Sequence, residues 1–246
     1  MRIDNNYWLL TTPVAHRGLW GEDIIENSLL AYKNAVEHGY PIEIDLYTSR
    51  DGEIFSFHDY TLERMTGEKG NIFDNTAKEL KELYLLDNDG RKTDQKIPTF
   101  KEVLEVAKGK VPLLIEIKSQ PDKTVVDKVV KILNSYSGEF AIQSFDPRQI
   151  IRVKRLAPHF IRGVLTTKIY SKALPFIKRM MVSRMLLNPF IKPDFISCSF
   201  EDLPLKKKTT KNIPVIAWTI TNQTDYEKIK PFARNIIFEK FIPKNN

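Results

Sequence analysis

Four stretches of this sequence finish apolar runs in charge. His16-Arg17 follows Pro13-Val14-Ala15, and Glu43 and Asp45 alternate with Ile42, Ile44 and Leu46. His58-Asp59 closes the run Glu53–Phe57, and Glu116 and Lys118 flank Ile117. Charged groups at strand ends are costly unless used, because the neighbouring interior is apolar. Residues two apart on a strand project to the same side, which pairs Glu43 with Asp45 and Glu116 with Lys118. Three carboxylates gathered in one place make a hard, oxygen-rich site for one divalent cation, Mg²⁺ or Ca²⁺. Without a cation they would repel one another. Such a cation holds a phosphoryl oxygen and offsets charge developing in the transition state. Arg17, with its planar fork, and Lys118, as a point charge, suit the remaining anionic oxygens. His16 and His58 suit general acid–base work, one activating the nucleophile and the other protonating the leaving alkoxide. The chemistry expected is metal-dependent cleavage of a phosphodiester.

Each residue alone has an ordinary reading. A single histidine is more often structural than catalytic, and a Glu-x-Asp pair usually lies on a solvated strand face. Lys118 could be a surface residue before the turn Ser119-Gln120-Pro121. The functional reading rests on their convergence, which requires a fold that collects the strand ends.

The alternation of segments supplies such a fold. Strands are expected at Pro13–His16, Ile42–Tyr47, Pro112–Ile117, Phe140–Ser144, Phe160–Leu165, Asp194–Cys198, Val215–Thr219 and Asn235–Phe238. Between them lie segments with helical spacing, such as Ser28–His38, Phe100–Lys108 and Asp122–Tyr136. Pro147 after Asp146 opens another helix, and Thr99 is placed to cap the one that begins at Phe100. Eight strands alternating with helices predict an α/β fold, a (β/α)₈ TIM barrel whose chemistry collects at the C-terminal strand ends. One region departs from the alternation. Asp51-Gly52 signals a turn into the short strand Glu53–Phe57. A polar, turn-rich insertion then follows over about residues 59–96, with one helix-like piece at Thr76–Leu83. No repeat or linker divides residues 1–246, so a single domain is expected.

Composition excludes several classes. A 42% hydrophobic and 28% charged chain can bury a large core without disulfides. The lone Cys198 sits in an apolar run and reads as a buried thiol, not part of an extracellular framework. No signal peptide and no long uncharged apolar run is recognised, so a cytoplasmic protein is expected. The net charge of +7 comes from scattered lysines without interleaved aromatics, which argues for a solvated basic surface and no nucleic-acid partner.

These residues resemble the glycerophosphodiester phosphodiesterase family over most of the chain. The resemblance is carried by His16-Arg17-Gly18, Glu26-Asn27-Ser28, Glu43-Ile44-Asp45, Thr48-Ser49-Arg50-Asp51-Gly52, and His58-Asp59 followed by Leu62, Arg64 and Gly67. It continues through Ile97-Pro98-Thr99-Phe100, Glu116-Ile117-Lys118, Gln143-Ser144-Phe145 and Trp218-Thr219. The resemblance implies a barrel with an insertion after His58, metal ligands Glu43, Asp45 and Glu116, and the acid–base pair His16 and His58. It also implies phosphate contacts from Arg17 and Lys118. The substrates implied are glycerophosphodiesters, hydrolysed to an alcohol and sn-glycerol 3-phosphate.

Two stretches depart from the family pattern. The last strand runs into Phe238-Glu239-Lys240-Phe241-Ile242-Pro243 where many members carry a Thr-Asp-Tyr-Pro-like stretch. Trp218-Thr219 is followed by Ile220-Thr221-Asn222, one residue longer than usual. Trp218 could line the mouth over glycerol or headgroup, or be an ordinary rim aromatic. Related barrels of lysophospholipase D-like or sphingomyelinase D-like activity keep a similar rim and change the substrate, and a non-catalytic phosphodiester-binding module is a further alternative. Finally, residues 174–192 are apolar with clustered basic residues. Covering the barrel is the favoured reading, with weak contact to an anionic membrane surface as the other.

Overall fold

The computed structural model of the chain describes residues 3–21, 24–168, 187–206, 210 and 212–244. The strands in chain order are β1 (Val14–Ala15), β2 (Ile42–Thr48), β3 (Ile54–Ser56), β4 (Tyr84–Leu86), β5 (Lys92–Lys96) and β6 (Leu113–Ile117). They continue with β7 (Phe140–Ser144), β8 (Arg162–Thr166), β9 (Phe195–Ser199), β10 (Val215–Ile220) and β11 (Asn235–Phe238). The main sheet runs β1-β11-β10-β9-β8-β7-β6-β2-β3, and β1 also pairs with β2 in parallel, Ala15 opposite Ile42. That additional pairing closes the sheet. With helices between the strands, the fold is the expected (β/α)₈ barrel.

The chain packs as two compact units, Ala15–Phe140 and Met1–Val14 with Ala141–Asn246. In the first, every residue of β2 and β6 is buried. A strand covered on both faces is the habit of parallel sheets, so β2 is not the half-exposed strand its alternation would also fit. The register sets Asp45 opposite Glu116 and Glu43 opposite Leu114. β3 runs antiparallel on β2, Leu46 opposite Ser56, and Phe57 N–H donates to Asp45 O at 2.9 Å, which leads His58 toward the strand that carries Glu43 and Asp45.

The helices that open at Leu29, Phe100 and Pro147 begin where side chains satisfy their first N–H groups. Ser28 Oγ accepts from Ala31 N at 3.1 Å to start the helix Leu29–Glu37. Thr99 and Glu102 form a reciprocal capping box ahead of Phe100–Ala107. Asp146 caps the helix opened by Pro147, as expected from the sequence.

The insertion, polar and turn-rich in sequence, nevertheless contributes to an apolar core. Leu62, Met65, Ile72, Leu80 and Leu85 are buried and pack with Tyr47, Phe55 and Phe57 in one apolar cluster. β4 and β5 form an antiparallel hairpin that alternation does not announce, with Lys92 and Lys96 lying 4.2 and 4.8 Å over the Tyr84 ring.

In the second unit Asn235 Nδ2 donates to Leu9 O at 2.8 Å and Thr12 O at 2.6 Å, tying down the helix Trp8–Thr11. Residues 174–186 of the basic apolar segment lie outside the described residues. No helix among the described residues is long and apolar enough to cross a membrane.

Candidate active site

Local backbone strain sets the first part of the site. β1 ends at Ala15, and Arg17 (φ 58°) and Gly18 (φ 88°) then turn the chain through the left-handed region. A Cβ at Gly18 would lie 2.8 Å from the backbone carbon of Ala31, so only glycine fits both the angle and the space. The turn lets Arg17 N–H donate to Glu43 Oε2 at 3.2 Å, while Asn27 N–H donates to Arg17 O at 2.9 Å. Trp20 Nε1 donates to His16 O at 2.9 Å. His16 and Arg17 thus stand just past the strand rather than at its end.

Glu43, Asp45 and Glu116 bring one carboxylate oxygen each to within 4.8 Å of one another, and all three are buried. Lys118 follows β6 and inserts its ammonium among them, 2.7 Å from Asp45 Oδ1 and 2.9 Å from Glu116 Oε1. His16 Nε2 lies 4.0 Å from Glu43 Oε2, and Arg17 Nε lies 3.7 Å from Asp45 Oδ2. Behind Asp45, Asn27 Nδ2 donates to Oδ2 at 3.3 Å, and Tyr32 Oη donates to Asn27 Oδ1 at 2.8 Å.

Charge is shared unequally across this cluster. Burial would raise the Asp45 carboxyl, but Lys118 first, then His58, Arg17 and His16, hold it well below the usual carboxylate range. Glu43 goes the other way, pushed well above its ordinary value by burial and by the charges of Asp45 and Glu116. Glu116 is also raised by burial, with Lys118 opposing. Burial works against the Lys118 ammonium, yet Asp45 and Glu116 raise it above the usual lysine range. Three buried oxygen donors, two of them reluctant to ionise beside their neighbours, fit a hard divalent cation that would offset their mutual repulsion.

His58 enters from the end of β3. Its Nδ1 lies 2.7 Å from Asp59 Oδ1, and Arg64 grips Asp59 in a fork, Nε to Oδ2 at 2.5 Å and Nη2 to Oδ1 at 2.9 Å. Burial would raise the Asp59 carboxyl, but its bonds from His58 and Arg64 hold it well below the usual range. Arg64 Nη1 pairs with Glu26 Oε1, and Glu26 Oε2 accepts from Arg17 Nη1 at 2.6 Å.

All seven residues His16, Arg17, Glu43, Asp45, His58, Glu116 and Lys118 therefore fall in one compact unit. Trp218 belongs to β10 in the other, half-buried and edge-on to Phe145 at 5.7 Å. Glu26, Asn27, Asp59 and Arg64 have no role assigned from the sequence, although their motifs were visible there. Their function as clamps depends on which side chains they meet.

The Glycerophosphoryl diester phosphodiesterase family model matches residues 16–237. The chain is 32% identical over 233 residues to a glycerophosphodiester phosphodiesterase from Caldanaerobacter subterraneus subsp. tengcongensis, covering 89% of each. It is 33% identical over 138 residues to a rat protein named lysophospholipase D GDPD1, which covers 53% of this chain and 43% of that one. Its fold matches an Oleispira antarctica phosphodiesterase solved with the product sn-glycerol-3-phosphate, with TM-score 0.75, 22% identity, and coverage of 95% of this chain and 94% of that one. On the family match and the Caldanaerobacter likeness together, this chain belongs to the glycerophosphoryl diester phosphodiesterase family.

Proposed function

We propose that this chain hydrolyses glycerophosphodiesters to an alcohol and sn-glycerol 3-phosphate, with one divalent cation, Mg²⁺ or Ca²⁺, held by Glu43, Asp45 and Glu116. The observation that carries the reading is the buried carboxylate trio within 4.8 Å, bordered by His16, Arg17 and Lys118. When bound, the cation would withdraw charge from a phosphoryl oxygen. Arg17 and Lys118 orient the anionic phosphodiester against that trio. One of His16 and His58 takes the proton of the attacking hydroxyl as its oxygen bonds to phosphorus. The other gives a proton to the departing alkoxide as the second P–O bond breaks, so charge and protons balance. His58, held at Nδ1 by Asp59, presents Nε2 for such a transfer. Trp218 is a candidate contact for glycerol or headgroup. The chain is read as a single catalytic domain with an insertion at about 59–96, acting in the cytoplasm, where a lone buried thiol is at home.

The test is a product assay on glycerophosphocholine with Mg²⁺, with Ca²⁺, and with excess chelator. Release of sn-glycerol 3-phosphate that requires a cation and disappears in His16→Ala supports the reading. Full turnover in chelator would defeat it. A second reading keeps the site and takes lysophospholipids, favoured by the likeness to the rat lysophospholipase D. A lysophospholipid in the same assay, yielding lysophosphatidate and free headgroup in preference, would select it. Sedimentation with anionic vesicles at low salt tests the weak membrane contact of residues 174–192.

A further inference from the structure

We infer that Arg64, in the inserted segment, is a positioning residue that holds His58 and Arg17 in place together through two carboxylates. The inference rests on the hydrolytic reading above for its catalytic consequence, and on geometry for the rest.

Arg64 spends three nitrogens on two acids. Nε and Nη2 fork onto Asp59, and Nη1 takes Glu26. Each acid then holds a different working side chain. Asp59 Oδ1 lies 2.7 Å from His58 Nδ1, and Glu26 Oε2 accepts from Arg17 Nη1 at 2.6 Å. An acceptor at Nδ1 fixes the ring's orientation and tautomer, leaving Nε2 toward the reaction. Glu26 is buried, and a buried carboxylate needs compensating cations. It has one arginine on each oxygen. Only a planar guanidinium can fork one carboxylate and reach a second, so lysine could not reproduce the link.

The insertion supplies the anchor. Arg64 lies on the short helix Glu63–Thr66, between the buried Leu62 and Met65 of the insertion's apolar cluster. The cluster fixes the helix, and the helix fixes the guanidinium. Arg64 itself is 51% exposed, so removing it empties no core, although it leaves one oxygen of the buried Glu26 without its cation. A large catalytic effect from such a residue would therefore come through His58 and Arg17.

The test uses the full chain with Arg64→Ala and Arg64→Lys. The expected loss of kcat in Arg64→Ala on glycerophosphocholine is roughly 10–100-fold, the scale seen when the partner orienting a working side chain is removed. Arg64→Lys should recover only part of it. The readout that a merely structural role would not move is the His58 ring. Its ¹⁵N–¹H correlation, recorded on the neutral imidazole at alkaline pH, should show a single Nδ1–H tautomer in the unaltered protein and a mixture in Arg64→Ala. Asp59→Asn serves as the second variant and should disturb the ring in the same way. An unchanged His58 spectrum in Arg64→Ala overturns the inference, as does full kcat. If the unaltered protein releases no sn-glycerol 3-phosphate, the hydrolytic reading fails, while the His58 spectra still decide the positioning role.

Discussion

The Lys118 ammonium lies 2.7 Å from Asp45 Oδ1, an ion pair in which both side chains are almost fully withdrawn from water. Asp45 lies on β2 and Lys118 directly follows the neighbouring β6, and the same ammonium reaches Glu116 at 2.9 Å. Lys118 is thus a resident counter-cation of the carboxylate trio as well as a phosphate-binding candidate. The two roles need not conflict. A divalent cation among the carboxylates would loosen their claim on Lys118 and release its charge toward an anionic substrate.

Removing that ammonium should destabilise the protein strongly. Breaking a buried pair by deleting one partner costs about 3–5 kcal/mol, because an uncompensated charge is left behind. Lys118→Met should accordingly melt well below the unaltered protein in chelator and regain much of the difference in millimolar Mg²⁺ or Ca²⁺. Thermal melts of both proteins, with and without cation, make the comparison. A variant whose melting point ignores the cation would sever Lys118 from the proposed cation site.

Glu43 gives a prediction with a definite sign. Burial and its acidic neighbours hold its folded-state pKa well above the ordinary glutamate value of 4.5. The folded protein therefore binds this proton more tightly than the unfolded chain. In chelator, its contribution to stability falls as pH rises from the unfolded value through the raised folded one. Glu43→Gln removes the cost. The variant should be more stable than the unaltered protein in chelator at neutral to alkaline pH, yet gain less from added cation. Denaturant titrations across pH would read both effects, and a variant less stable at every pH would contradict the sign.

His16 and His58 should each matter to rate far more than to stability. Both are partly exposed, at 15% and 30% of the side chain, so truncation leaves no large cavity. A positioned acid or base contributes about 10²–10⁴-fold. His16→Ala and His58→Ala should each lower kcat by that order with melting points little changed. Steady-state kinetics beside calorimetry would separate the two, and a collapse of melting point matching the loss of rate would make either histidine structural.

The barrel strands were legible because short apolar runs bounded by turn and helix signals survive in the residue order. Phe140–Ser144 and Asn235–Phe238 match observed strands residue for residue, and the helix starts at Ser28, Thr99 and Asp146 follow from capping side chains. The hairpin over Tyr84–Leu86 and Lys92–Lys96 was not legible. Lys92-Thr93-Asp94-Gln95-Lys96 has no apolar alternation, and the pair is held by Thr93 Oγ1 donating to Leu85 O and by lysines over Tyr84. The Arg64 link was hidden for a related reason. Residue types and spacing show a charge pair within one element, whereas Glu26, Asp59 and Arg64 meet only after β3 and the insertion fold back on β2.

Gly18 tests how tightly the backbone holds the site. Its φ of 88° lies where side chains are disfavoured, and a Cβ there would stand 2.8 Å from Ala31, against the helix Leu29–Glu37. Gly18→Ala must therefore either shift that helix or pull residue 18 and its neighbour Arg17 away. Backbone strain of this kind costs about 1–3 kcal/mol. The loss should show in catalysis as well, because Arg17 N–H and side chain hold Glu43 and Glu26 from the same turn. Gly18→Ala should lower the melting point by several degrees and weaken sn-glycerol 3-phosphate binding, measured calorimetrically. Gly21→Ala, where a Cβ meets nothing within 4 Å, is the control expected to do neither. Equal behaviour of the two variants would mean that the tight turn at Gly18 does not govern Arg17.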